Sequence, residues 1–178
     1  MLQVAVAAYS GEPTASLAEA ARSFVSELAE SCREAVLILG GYRGLMRVVA
    51  DAAIAHGLRV VFVVPPAYEG DSYPRGSVVI RTGLGPRERS SVLVRSGDVV
   101  AVLGGGVGTL FEALLACSYG IPVYYLRMAG EESLLTERFA GCLPDGVVDA
   151  RLGCRLRYFP EPHLMARALC REAGVGRV

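Results

Sequence analysis

The residues with the clearest chemistry in this sequence are glycines. In the stretch Asp98 to Glu112, DVVAVLGGGVGTLFE, five apolar residues, Val99 to Leu103, run directly into Gly104, Gly105 and Gly106. Glycines in such a turn admit positive φ and leave backbone N–H groups uncovered by any Cβ, so an anion can come close. Gly108 and Thr109 then open a helix whose apolar residues Leu110, Leu114 and Cys117 recur at helical spacing. The first N–H groups of that helix have no intrahelical acceptor and point back at the glycine turn. Together with the positive end of the helix dipole, which alone contributes about 0.3–2 kcal/mol, they favour a phosphate there. A second turn of the same kind, Gly40-Gly41-Tyr42-Arg43-Gly44, follows another apolar run, Ala35 to Leu39. One such turn is equally well explained by tight packing of helix on sheet. Two of them, each after a buried strand, point to a nucleotide or other phosphorylated ligand.

The elements that must position these turns alternate along the chain. Val4 to Ala8 reads as a strand, Tyr9 to Pro13 as a loop, and Ser16-Leu-Ala-Glu19 as a capping box for a helix with Leu17, Ala21, Phe24 and Leu28 on its apolar face. After the strand Ala35 to Leu39 and the first glycine turn, a helix runs from about Leu45 to His56 and closes at Gly57. Arg59 to Val64 is the third strand, stopped by Pro65-Pro66, and Ala67 to Gly76 reads as a surface loop. Ser77 to Arg81 is a shorter strand, and Thr82-Gly-Leu-Gly-Pro86 leads into a helix from about Arg87 to Ser96. Beyond the second glycine turn, Pro122 to Leu126 is a strand and Glu131 to Ala140 a short helix capped by Gly141. From Cys142 to Phe159 the pattern weakens to a Pro144-Asp-Gly146 turn and an edge strand over Arg155 to Phe159, before Pro162 starts a last helix ending near Gly174.

This alternation predicts one α/β domain over residues 1–178, Rossmann-like and doubly wound, with a mainly parallel sheet and helices on both faces. Ligands in such sheets bind at the carboxyl ends of the strands, where the strand order reverses, so both glycine turns are expected to line one crevice. Ser10, Thr82 and Gly83, on strand-end loops, lie within reach of a ligand there. Arg43 and Arg47, one turn apart, suit either a second phosphate or plain solvation. His56 suits a helix C-terminus, and Asp98, at the amino end of its strand, suits a structural hydrogen bond.

Composition removes several alternatives. Eighteen basic residues balance eighteen acidic ones, so no global charge favours nucleic acid or a membrane surface. Hydrophobic residues make up 52% and mean hydropathy is +0.40, yet no apolar run approaches the ~20 residues of a membrane span. All the basic residues but the two histidines are arginine, and the chain has no lysine. That excludes a lysine Schiff base, hence pyridoxal-phosphate catalysis, and any complete Walker-type phosphate loop. The start MLQVAVAAYS has no basic n-region, and the expected compartment is the cytoplasm. No asparagine and a single glutamine suit a thermophilic source. The five cysteines form no CxxC pair and only His56 and His163 are available to join them, so no metal or other cofactor is expected, and the thiols are expected buried in the core.

GGYRGLM, Gly40 to Met46, followed by GGGVGTLFE, Gly104 to Glu112, resembles the LOG (Lonely Guy) family, whose paired signatures are a GGG-x-x-GLMG turn and a PGG-x-GT-x-x-E turn. The likeness covers about Val4 to Leu126. It implies a Rossmann-like fold, a homo-oligomer, and phosphoribohydrolase activity on nucleoside 5′-monophosphates of the AMP type, with Gly40, Gly41, Gly44, Met46, Gly104, Gly105, Gly106, Gly108 and Thr109 in the two ligand turns. The family's catalytic glutamate falls on Glu112 and its catalytic arginine on Arg89 of Pro-Arg-Glu-Arg89. A carboxylate can stabilise the positive charge that builds on the sugar as a ribosyl bond breaks, and an arginine fork can hold a phosphate or fix that carboxylate as an anion. Without the resemblance, a surface salt bridge and a helix-terminal charge explain the two residues as well. Gly104 stands for the family's proline, Arg47 for a glycine, Ser90 for a lysine, and the first turn is one glycine short. In these respects the sequence looks more like a short subfamily that includes molybdenum-cofactor carrier proteins, which implies a pterin cofactor as the alternative ligand.

Overall fold

Short runs of valine, isoleucine and leucine set the core of the molecule, because a strand covered on both faces needs an apolar side chain at every position rather than at alternate ones. The structure, a computed structural model, describes residues 1–175, with side chains through residue 172. In chain order the elements are β1 (Gln3–Ala7), α1 (Ala15–Ser31), β2 (Val36–Leu39), α2 (Gly44–Ala55), β3 (Arg59–Val64), β4 (Val78–Arg81), α3 (Pro86–Arg95), β5 (Val99–Val102), α4 (Val107–Ser118), β6 (Val123–Leu126), α5 (Leu135–Cys142), β7 (Val147–Asp149), β8 (Cys154–Phe159) and α6 (Pro162–Val175). They build one sheet in the order β4-β3-β2-β1-β5-β6-β8-β7, parallel throughout except for β7. This is a Rossmann-like α/β fold. Every residue of β2, β5 and β6 is buried.

On one face α1 packs between α2 and α6, over a core that includes Phe24, Leu37, Val49 and Phe62. On the other, α3, α4 and α5 cover Ala5, Val63, Val100 and Tyr125. The strand order runs outward from β1 in both directions, so the reversal lies between β1 and β5. The second glycine turn leaves β5 at that point, and the first leaves β2, one strand away. Among the described residues no helix is long and apolar enough to cross a membrane.

Four local expectations are corrected. Helix α1 is capped by Thr14, whose side chain accepts from the Leu17 N–H at 3.2 Å, and not by Ser16. The hydroxyls of Ser16, at 2.5 Å, and of Thr14 both donate to the buried Glu131 carboxylate, a partner far away in sequence. The same engagement holds Glu131 outside the helix expected to begin there, so α5 starts at Leu135 and Gly141 lies inside it. The strand expected at an edge, β8, is internal: a short antiparallel strand, β7, covers it. The cysteines expected as core thiols form two disulfides. Packing of α1 on α6 brings the Cα atoms of Cys32 and Cys170 to 5.9 Å, and packing of α4 on β8 brings those of Cys117 and Cys154 to 5.1 Å, leaving Cys142 free and exposed.

Candidate functional site

Where the strand order reverses, a cavity of about 300 Å³ opens between the loop after β1 and the amino ends of α3 and α4. Ala8, Tyr9 and Ser10 form one wall, Met46 and Tyr68 a second, Arg87, Arg89 and Ser90 a third, and Gly106 to Thr109 with Glu112 the fourth. Helix α4 begins at Gly106, which offers no side chain to cap it. A Cβ there would meet nothing within 4 Å. Gly106 to Thr109 line the cavity, so the first turn of α4, whose amides have no intrahelical acceptor, opens onto it with the positive end of the helix dipole behind.

The turn that aims them is held from behind. The Gly105 N–H donates to Thr136 Oγ1 at 2.9 Å, and the Thr136 N–H donates to the Gly105 carbonyl at 3.1 Å. Thr136, fully buried in the first turn of α5, so holds Gly105 by both its N–H and its carbonyl. A Cβ on Gly105 would stand 2.2 Å from Thr109 Oγ1, which is why glycine is needed there. Gly104 turns the chain at φ +105° beneath Leu17 and Leu134, so neither Gly104 nor Gly105 reaches the cavity wall.

Glu112 projects from α4 into this cavity and is 7% exposed. Its Oε1 accepts from Ser90 Oγ at 2.9 Å and from Arg89 Nη1 at 3.2 Å. Burial pushes its pKa above the ordinary 4.5, outweighing the opposing pull of Arg89, the Ser90 hydroxyl and Arg87. Arg89 is 8% exposed and its Nε has no hydrogen-bond partner among the described residues. A carboxyl with raised proton affinity, beside a buried arginine and an uncapped helix end, can hold or release a proton and can stabilise positive charge on a neighbouring group.

The first glycine turn does a different job from the second. The Arg89 guanidinium lies flat against Gly40, where a Cβ would be 2.4 Å from Nη1. Tyr68 packs on Gly41, where a Cβ would be 3.0 Å from Cδ2. Gly44, at φ +52°, lets α2 dock on the loop after β1: a Cβ would stand 2.1 Å from the Gly11 carbonyl, and the Leu45 N–H donates to Tyr9 O at 2.9 Å. These glycines make room for the walls of the cavity without lining it, and of that turn only Met46 does so.

Of the remaining expected residues, Ser10, Gly106, Gly108 and Thr109 are brought together with Arg89 and Glu112, whereas Thr82 and Gly83 are not. Thr82 turns back to donate to Val64 O at 2.9 Å, and Gly83 makes the turn beyond it at φ +65°. Arg43 pairs with both oxygens of Asp71, at 2.9 and 2.7 Å, and stacks over Tyr68, while Arg47 lies 3.7 Å from Asp51, so both are in surface ion pairs. His56 closes α2, and Asp98 accepts from the Gln3 N–H at 2.8 Å at the far edge of the sheet. Tyr9, Tyr68 and Arg87 also line the cavity, although no motif in the sequence marks them. Tyr68 lies in a segment whose composition reads as a surface loop, and a 3-10 turn after Pro65 swings it inward. Arg87 was visible only as the neighbour of Glu88 in the segment that carries Arg89. Among the described residues no three histidine, cysteine or carboxylate side chains are grouped to hold a metal ion.

The model of the SLOG cluster4 family matches residues 1–142. No curated protein matches the chain. Among solved structures, TM1055, a structural-genomics target, is 26% identical with a TM-score of 0.78, the match covering 97% of this chain and 99% of that one. The Moco carrier protein of Chlamydomonas reinhardtii is 23% identical with a TM-score of 0.73, covering 99% of each chain. The molybdenum cofactor binding protein of Rippkaea orientalis is 22% identical with a TM-score of 0.70, covering 96% of this chain and 93% of that one. At these identities the last two show a shared fold.

Proposed function

The chain belongs to the SLOG cluster4 family, and from that premise we propose that it binds a phosphorylated heterocycle, a nucleoside 5′-monophosphate or a pterin of the molybdenum-cofactor type, in the cavity between α3 and α4. One observation carries the proposal: the uncapped amino end of α4 opens into a cavity that also holds the buried Arg89–Glu112 pair. The phosphate sits on the amides of Gly108 and Thr109, and the heterocycle lies toward Met46, Tyr9 and Tyr68. In this reading the protein acts in the cytoplasm as a homo-oligomer, on a small molecule and not on nucleic acid.

Two activities fit the same pocket. In the first, Glu112 stabilises charge on the ribose as the N-glycosidic bond breaks, and Arg89 fixes its position. Its support is the placement of the carboxyl in the cavity with a raised pKa. In the second, the protein carries the ligand without cleaving it. Its support is the shared fold with two proteins described as binding or carrying the molybdenum cofactor. Calorimetric titration with AMP, followed by chromatography for free adenine and ribose 5-phosphate, separates them. Base release abolished by Glu112→Gln establishes hydrolysis. Binding without release establishes a carrier or sensor, with molybdopterin the next ligand to titrate. Absence of binding by either ligand refutes the proposal.

A further inference from the structure

Arg87 occupies a position that electrostatics disfavours unless an anion is present. It lies in the first turn of α3, directly after Pro86, where a cation faces the positive end of its own helix. Its side chain then crosses to the amino end of α4: Nη1 is 3.3 Å from where a Cβ on Gly108 would stand, and its guanidinium carbon lies 5.7 Å from the centre of the Phe111 ring. A cation there opposes two helix dipoles at once. Among the described residues no carboxylate forms an ion pair with Arg87. Glu112 is near enough to feel its charge, but its Oε1 is already taken by Arg89 and Ser90. The contact with Phe111 favours this placement of the guanidinium, and Arg87 is one of the residues lining the cavity. Deeper in the same cavity Arg89, more than nine-tenths buried, has an Nε without a partner. Two arginines and an uncapped helix end thus converge on one space, with the single carboxylate among them engaged from two sides.

We propose that Arg87 is the phosphate clamp of this site, its guanidinium and the first-turn amides of α4 holding opposite sides of a phosphomonoester dianion. This rests on the function proposed above and deepens it: Arg89 is committed to Glu112, so recognition of the phosphate charge falls to Arg87. The ligand class is then set by the phosphomonoester, which AMP and a pterin phosphate share, and the unphosphorylated nucleoside binds only weakly.

The test compares wild type, Arg87→Gln and Arg87→Lys by calorimetry with AMP, adenosine and inorganic phosphate at low and moderate salt. Arg87 is exposed, so each variant is first shown by thermal melting to fold as the wild type does. Arg87→Gln is expected to weaken AMP and inorganic phosphate binding at least tenfold and to flatten the salt dependence, leaving the weak binding of adenosine unchanged. Arg87→Lys, which keeps the charge and loses the fork, is expected to restore part of the affinity. If the wild type binds AMP and Arg87→Gln binds it equally well with the same salt dependence, the clamp is overturned while the proposed function stands. If the wild type binds neither AMP nor inorganic phosphate, the clamp is overturned, and the proposed function falls with it when molybdopterin also fails to bind.

Discussion

Gly40→Ala tests whether the first glycine turn exists to make room for Arg89. The backbone of Gly40 is not among the positive-φ glycines, so alanine suits its conformation, and a compatible Gly→Ala change alone stabilises a protein by about 0.4–1 kcal/mol. Any loss must come from the new methyl. That methyl would stand 2.4 Å from Arg89 Nη1 and 2.9 Å from its Cζ and Nη2. To restore van der Waals contact near 3.5 Å the guanidinium must retreat by about 1 Å. The bond to Glu112 is already 3.2 Å long, and such a retreat breaks it. Glu112 keeps its bond from Ser90, so the cost is less than the about 3–5 kcal/mol of stripping a buried pair of one partner. A net loss of about 1–3 kcal/mol remains, typical of a charge-assisted hydrogen bond. Urea denaturation of Gly40→Ala, Glu112→Gln and the double variant measures it. The two changes should couple by at least about 0.5 kcal/mol, since a neutral partner has less to lose when Arg89 moves. Strict additivity, or a Gly40→Ala variant more stable than wild type, would refute the assignment of Gly40 to Arg89.

Two further outcomes follow from the buried groups. Because burial raises the Glu112 pKa above 4.5, the native state holds that proton more tightly than the unfolded state does. The resulting stability is fully present below the unfolded value and is lost as pH rises through the higher folded one. Glu112→Gln should therefore gain on wild type in denaturation experiments as pH rises above the ordinary carboxyl value, until the folded carboxyl is ionised, and a constant gap would be the wrong result. The disulfides close chain separations of 138 and 37 residues. Bridges of this kind contribute typically about 2–4 kcal/mol each. Paired Cys→Ser changes at either bridge should then lower Tm by about 4–16 °C, and a Tm indifferent to both the changes and a thiol reductant would show that neither bridge forms.

How far the sequence carried can be judged residue by residue. Val36–Leu39, Val99–Val102 and Val123–Leu126 were legible because a strand buried on both faces leaves an unbroken apolar run. Pro86 and Pro162 marked helix starts, since the first turn tolerates a missing N–H. The alternation of elements implied a parallel sheet with its crevice at a reversal of strand order, while the place of that reversal, between β1 and β5, is shown by the strand order itself. What stayed hidden depends on partners distant in the chain. Ser16 looked like a cap until Glu131, 115 residues away, took its hydroxyl. Three residues of β7 are too few to show a period. Gly40 and Gly41 read as phosphate-turn glycines, and only the placement of Arg89 and Tyr68 against them reveals what their missing side chains are for.

The two disulfides have a topological consequence. The Cys32–Cys170 bond closes a covalent ring, and the Cys117–Cys154 ring lies wholly within it. Residues 1–31 hang outside as a tail, yet that tail contains β1, the strand between β2 and β5, together with Tyr9 and Ser10 of the cavity wall. A single backbone cut between residues 33 and 169 leaves the oxidised molecule in one covalent piece. A cut in the loop at Gly11 to Pro13 frees the middle of the sheet and one wall of the cavity together. One of the two central strands of the sheet is thus on a removable segment, and once that loop is cut hydrogen bonds and packing alone hold it in place.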